Sequence, residues 1–322
     1  MPIEIIVSTQ HNPFLNLAAE QTLLQENPGD TVVMYLWKNR QTVVIGKHQN
    51  PYAECHVERL AAEGGHLMRR LTGGGAVYHD LGNLNFSFIA SPERYCLEKQ
   101  FAVLQEAVKS FGLHTTLSGR NDVLCEGRKF SGNAFSVGKN NCLHHGTILI
   151  RTDMEKLQRY LRPKPGKLHK HGVSSVESRV VNLSDLADIT SENILEPLSE
   201  AFQRIYHENA RVRTWEEVCS ESVRKTAREL ENPDFLFGHW RQFQAKRQGS
   251  FPWGEVEIGL TVDENASRIL QANIATDCLQ PAAIEKAEQL LQGADSRTAP
   301  PTEDLPENEA GIVRDIFHLI YA

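Results

Sequence analysis

The sequence predicts an α+β fold, with a large mixed α/β domain over residues 1–246 and a small α+β domain over residues 250–322. Three observations predict it. Stretches of helical period and short β-branched runs are mixed through the first 245 residues, where composition stays even and no repeat shows. A chain of 322 residues is long enough for one large domain plus a smaller one. A Q-G-S-F-P segment at 248–252 reads as a linker, and a strand-strand-helix pattern follows it.

The elements follow in order. Residues 1–7 (MPIEIIV) place an acid inside a very short apolar stretch, which predicts an edge strand rather than a signal peptide. Residues 12–25 (NPFLNLAAEQTLLQ) carry apolar side chains at helical spacing behind Asn12, a capping residue, and Pro13 at the first turn. Residues 32–37 and 42–45 are β-branched runs split by K-N-R-Q, which predicts a hairpin. Residues 85–90 alternate polar with apolar and read as a strand, as does G-T-I-L-I at 146–150. Residues 99–111 form an amphipathic helix closed by Gly112. The basic, aperiodic stretch 162–173 (RPKPGKLHKHGV) reads as a mobile loop. Strands at 256–262 and 269–275, a helix at 282–291, a proline-rich loop at 299–306 and a helix at 309–321 complete the small domain.

Composition narrows the function classes. Hydrophobic residues at 40% and charged residues at 23% are those of a packed, soluble chain. A net charge of −7 argues against a nucleic-acid partner. No apolar run approaches the ~20 residues that cross a bilayer, so no membrane role is expected. The six cysteines form no C-x-x-C pair, which predicts reduced thiols in the cytoplasm.

The strongest chemical signal is R-R-L-T-G-G-G-A-V-Y-H-D at 69–80. Consecutive glycines cost conformational entropy and pack nothing. Their use is to bring backbone close to a ligand and point N–H groups at an anion. A bare G-G-G is more often a hairpin, but Arg69 and Arg70 add planar cations suited to carboxylate or phosphate. The pattern is neither a P-loop nor a Rossmann fingerprint. In a second segment, Lys129 stands among turn-permitting residues, Gly127 and Gly132, after Asn121 and Asp122. A compact ammonium there can lie between a carboxylate and a phosphate that repel one another. Asp122, with Asn121, is the candidate for Mg²⁺, which takes one or two carboxylates plus phosphate oxygens and water. Alone, this segment reads as a surface turn with a solvated lysine. His144 and His145 precede the 146–150 strand without acid or cysteine at ligand spacing, and adjacent strand residues face opposite ways. One is expected near the site and the other outward. A fourth segment, 164–183, mixes lysines, glycine and hydroxyls, and reads equally as a loop that closes over a nucleotide and as a solvated basic loop.

Together these motifs resemble the lipoate–protein ligases of the biotin/lipoate ligase superfamily. The likeness runs from F-L-N-L-A-A-E at 14–20 through W-K-N, T-V-V-I-G and Q-N-P, the R-R-x-x-G-G-G-A-V-Y-H-D-x-G-N stretch, G-R-N-D, R-K-x-S-G-x-A and H-H-G-T. It implies an AMP-forming, acid–amide bond-forming ligase in which the lipoate carboxylate attacks the α-phosphorus of ATP, with Mg²⁺, to give lipoyl-AMP. An acceptor lysine then displaces AMP. By the resemblance Lys129 is the catalytic residue; Arg70, Gly75, Ala76, Val77, Tyr78 and Lys129 bind ATP. Lipoate is held by Lys129, Arg70, Gly74, His79 and Gly132, its tail in an apolar tunnel under the glycine-rich loop. The implied acceptors are lipoyl domains of 2-oxoacid dehydrogenase acyltransferase subunits and the glycine-cleavage H protein. Where the family carries a W-x-W-x-x-G patch, this chain has F-L-F-G at 235–238.

One alternative is an octanoyl- or lipoyltransferase of the same fold that uses a preformed acyl donor. Cys125 and Cys142 lie near Lys129 in sequence, yet lack the A-C-F context of the thiol-dependent enzymes. The intact G-R-N-D and the lack of a transit peptide weigh against a lipoyl-AMP-dependent transferase. The other alternative is a non-catalytic regulator, expected to add a basic helix-turn-helix that neither end shows.

Overall fold

The computed structural model describes residues 2–119, 121–162, 180–237, 245–263 and 267–321. Most of the predicted mobile loop (163–173), Arg120 of G-R-N-D and Gly238 lie outside them. Along the described chain run β1 (Ile3–Val7), β2 (Val32–Trp37), β3 (Thr42–Ile45), β4 (His66–Arg69), β5 (Val77–His79), β6 (Asn83–Ala90) and β7 (Thr115–Ser118). Then come β8 (Asp122–Cys125), β9 (Arg128–Val137), β10 (Cys142–Leu149), β11 (Ala210–Arg213), β12 (Ala245–Phe251), β13 (Gly254–Asp263) and β14 (Arg268–Thr276). They pair into one sheet of order β11-β1-β2-β6-β10-β9-β8-β7, a second of order β4-β3-β5 and a third of order β12-β13-β14.

The large sheet is covered on both faces, which explains why β2 (VVMYLW) shows no alternation: every position is buried. Met34 and Leu36 join Phe86 and Phe88 under helices Leu97–Lys109 and Leu195–Tyr206. Val33, Tyr35 and Trp37 face the other way, toward helix Pro13–Glu26 and the second sheet. Asn12 caps that helix, its side chain accepting from the N–H groups of Phe14 and Leu15. The polar side chains of β6 are as buried as its phenylalanines, so its alternation marks a polar interior rather than a wet face.

Three sequence expectations are corrected. β1 is an inner strand, parallel to both β2 and β11; the edge is β11, whose A-R-V-R carries two arginines and no apolar run. β2 and β3 make no hairpin. β2 pairs with β1 and β6, whereas β3 pairs with β4 and β5. The segment between crosses from one sheet to the next, held by Asn16, whose Nδ2 donates to Lys38 O at 2.9 Å and Asn39 Oδ1 at 3.0 Å. Finally, the segment read as a linker is mostly strand: Gln248 and Gly249 of β12 pair with Glu257 and Val256 of β13.

The third sheet packs Ile258 and Ile274 against Ile284 of helix Pro281–Leu291 and Val313 and Phe317 of helix Glu307–Tyr321. It touches the rest of the chain at the glycine-rich loop and at the segment just after β3. The Gly74 N–H donates to Cys278 O at 3.1 Å, and the Thr276 N–H to His48 O at 3.1 Å. Among the described residues no helix is long and apolar enough to cross a membrane.

Candidate active site

The edge of the second sheet and the strands β9 and β10 enclose a hollow of ≈ 630 Å³, part of it open to solvent. Residues 74–77 form one wall; Lys129, Gly132 and Ala134 form another; Leu17, Trp37 and Val44 make an apolar floor. The lysine and the triglycine, distant in sequence, therefore face the same space.

Lys129 sits on β9, not in a tight turn. The β8–β9 register shifts so that Leu124 opposes Lys129 while Val123 opposes Ser131, leaving Phe130 as an extra residue. Such a bulge re-aims side chains. Here Phe130 goes to the core and Lys129 to the hollow. Its Nζ is 2.7 Å from Asp122 Oδ1. A Cβ on Gly132 would lie 2.8 Å from that Nζ, so the lysine tip occupies the space left by the bare position 132.

The arginines do not present a free fork. Arg69 donates to the carbonyls of Gly46, Lys47, Gln49, Phe235 and Leu236. Arg70 donates through Nη2 to Gly73 O at 2.7 Å and Gly75 O at 2.8 Å, through Nε to Thr72 Oγ1 and through Nη1 to Val44 O. Burial lowers both to about 10, so each stays charged at neutral pH and acts as a clamp on the loop. The glycines also divide their work. A Cβ on Gly73 would lie 1.8 Å from Cys278 O, and Gly74 has φ +92° with its N–H already on that carbonyl. Gly75 alone of the three has nothing within 4 Å of a built Cβ. Two glycines thus admit the small domain and one leaves room for a ligand.

A buried relay runs beneath the hollow. Trp37 Nε1–H donates to Ser87 Oγ at 3.0 Å, and Ser87 to Glu20 Oε2 at 2.5 Å. Glu20 meets His145 Nδ1 at 2.8 Å, and His145 Nε2 lies 2.7 Å from Thr72 Oγ1. Thr72 in turn accepts from Arg70, so the relay ties the apolar floor to the glycine-rich loop. His79 lines the same hollow. Burial first, then the nearby Arg70 and His145, pushes it down to about 3, so it is neutral. Its Nε2 is buried with no hydrogen-bond partner among the described residues.

Residues 12–203 match the lipoyl protein ligase A/B catalytic domain, and residues 241–299 the bacterial lipoate protein ligase C-terminus. The chain belongs to the lipoate–protein ligase family. A lipoate-protein ligase A of Bdellovibrio bacteriovorus is 36% identical over 90% of this chain and 88% of its own. The crystal structure of P. falciparum LipL1 in complex with lipoate matches with a TM-score of 0.84 at 27% identity, covering 98% of each chain. A crystal structure of lipoate-protein ligase A bound with ATP matches with a TM-score of 0.63 at 27% identity, over 74% of this chain and 99% of that one. The activity is accordingly ATP-dependent attachment of lipoate to protein.

In this ligase Arg70, Gly74, Gly75, Ala76, Val77, His79, Asn121, Lys129 and Gly132 line the hollow. Tyr78 does not: its ring is buried on the opposite side against Tyr160, 5.6 Å between centroids, leaving only backbone for a ligand. Asp80 ties a turn, accepting from the N–H groups of Gly82 and Asp153. Asp122 is not among the lining residues but holds the Lys129 ammonium at 2.7 Å. Among the described residues no three His, Cys, Asp or Glu side chains gather as a metal cage. One carboxylate suits Mg²⁺ only as a single ligand to an ion carried mainly by phosphates and water. His145 faces the site as expected, but His144 is not outward; it is fully buried on the other face of β10. Cys125 and Cys142 are buried, and burial raises both thiols. Neither lines the hollow. Sequence reasoning missed Glu20, Ser87 and Asn133. The available signal was an acid inside the apolar run of helix Pro13–Glu26.

Proposed function

We propose that the ligase lays the lipoyl chain along the Leu17–Trp37–Val44 floor and the nucleotide beneath residues 75–78, with Lys129 where the two meet. The observation that carries this is the Lys129 ammonium facing the 74–77 loop across one hollow. An apolar floor suits a hydrocarbon tail and a dithiolane. The ammonium neutralises two oxyanions that otherwise repel, the lipoate carboxylate and the α-phosphate. One carboxylate oxygen bonds to the α-phosphorus, pyrophosphate leaves with the electron pair of the bond it breaks, and lipoyl-AMP remains. The acceptor's ε-amine then adds to the acyl carbon, AMP leaves, and the amine's proton is lost to form the amide. Mg²⁺ would supply charge neutralisation to the phosphates, and Asp122 would offer it a carboxylate oxygen.

Acceptors in this reading are lipoyl domains: those of 2-oxoacid dehydrogenase acyltransferase subunits and the glycine-cleavage H protein. The location is the cytoplasm, consistent with six unpaired cysteines. The reading is supported over a thiol-relay transferase by the burial of Cys125 and Cys142. The test is lipoate-dependent ATP–pyrophosphate exchange. Lys129→Ala abolishes exchange while its urea unfolding stays close to wild type, because a third of the lysine side chain is exposed. Near-normal exchange in that variant contradicts the role of Lys129.

A further inference from the structure

The reaction above gives no task to His144. Its imidazole is fully buried among Phe86, Phe88, Phe101 and Phe135, with ring centroids 4.8–5.9 Å away. Another phenylalanine there avoids the desolvation cost of a polar ring. What the imidazole adds is two hydrogen bonds, Nε2 to Asn133 Oδ1 at 2.8 Å and Nδ1 to the Gln100 carboxamide at 2.9 Å.

Asn133 fixes the direction of the first. Its Nδ2 donates to Asn121 O at 3.0 Å, so its Oδ1 faces His144 as an acceptor. His144 must therefore carry a proton on Nε2. Burial, with His145 alongside, holds it well below the usual histidine range, so the ring is neutral and Nδ1 accepts. The atom 2.9 Å from Nδ1 is Gln100 Oε1; with Nδ1 an acceptor, the carboxamide is assigned the reverse orientation, which also gives a partner to its otherwise unpartnered Nε2. The link continues from Asn133. Its backbone N–H also donates to Asn121 O at 3.0 Å, and Asn121 Nδ2 returns a bond to Asn133 O at 2.6 Å. The next residue is Asp122, which holds Lys129 at 2.7 Å across Gly132.

We propose that His144 is a positioning residue for Lys129: through the Asn133 carboxamide it pins the Asn121 carbonyl, and with it the start of β8 that carries the lysine's carboxylate partner. The inference rests on Lys129 being the activating cation. If the link holds, a hydrogen-bond donor is needed at the Nε2 position, whereas a filler of the phenylalanine cluster needs only volume. His144→Phe keeps the volume and removes the donor; His144→Gln keeps a donor at the equivalent reach.

The experiment measures lipoate-dependent ATP–pyrophosphate exchange and urea unfolding on full-length wild type, His144→Phe, His144→Gln and Lys129→Ala. The expected result is a kcat at least tenfold lower for His144→Phe, a KM for lipoate within threefold of wild type, and recovery to within threefold of the wild-type kcat in His144→Gln. Full activity in His144→Phe, or equal loss in both variants, overturns the inference, while Lys129→Ala alone decides the reading on which it rests. Should His144→Phe not unfold cooperatively, ¹⁵N NMR of the wild-type imidazole decides: a proton on Nε2 at pH 7 supports the link, and a proton on Nδ1 alone overturns it.

Discussion

Glu20 and His145 form an acid–base pair with side chains only 4% and 9% exposed, and each has a further buried partner. Removing one member of such a pair strands the other without water. Glu20→Ala is expected to cost about 3–5 kcal/mol in urea unfolding, far above the usual surface substitution. An unfolding midpoint unchanged from wild type would show the pair to be dispensable. Residue identity was legible where chemistry has a strong local pattern: Gly74, Gly75, Gly132, Lys129 and His79 all reach the hollow. It was illegible where partners are distant. Nothing in R-R-L-T-G-G-G says that Arg70 spends its donors on its own loop, and nothing near Gly73 announces a carbonyl from residue 278. Both facts depend on which backbone folds over the motif.

Among elements, strand and helix existence could be read from period, while pairing could not. β2 and β3 satisfy a hairpin pattern locally, yet each is buried by a different sheet. Lys129 was read as a turn residue because glycines surround it; a bulge in β9 instead turns it toward the site. The contact of the small domain with the glycine-rich loop makes its own prediction. Gly73→Ala places a methyl carbon 1.8 Å from Cys278 O, on backbone that cannot rotate away. The backbone bond from Gly74 to Cys278, and the neighbouring one from Thr276 to His48, are expected to loosen. Hydrogen exchange reads this directly: both amides lose at least tenfold protection, while those of β2 and β6 keep theirs. Unchanged protection at Gly74 and Thr276 contradicts the packing described.

The whole molecule carries several histidines that burial keeps neutral. His48 is lowered to about 4 and His79 to about 3, and His144 lies well below 6.5; in each case burial is the leading cause. The unfolded chain protonates all three near 6.5, the native chain does not, and so stability falls as pH drops below 6.5 toward 4. Glu288 opposes this. Its native value, raised to about 7 mainly by burial, keeps a proton that the unfolded chain loses above 4.5, so its contribution is lost as pH rises toward 7. The buried histidines outnumber this carboxyl, so stability is expected to fall between pH 6 and 5. Urea midpoints at the two values check it, and a higher midpoint at pH 5 would contradict it. The central claim is that ATP, through Lys129, makes lipoate itself the acyl donor. The most direct measurement is the intact mass of an apo lipoyl domain after incubation with lipoate and Mg²⁺-ATP, or with octanoyl–carrier protein and no nucleotide. The account predicts a lipoyl mass increase only in the first mixture, absent with Lys129→Ala; acylation in the second, or lipoylation by the lysine variant, would contradict it.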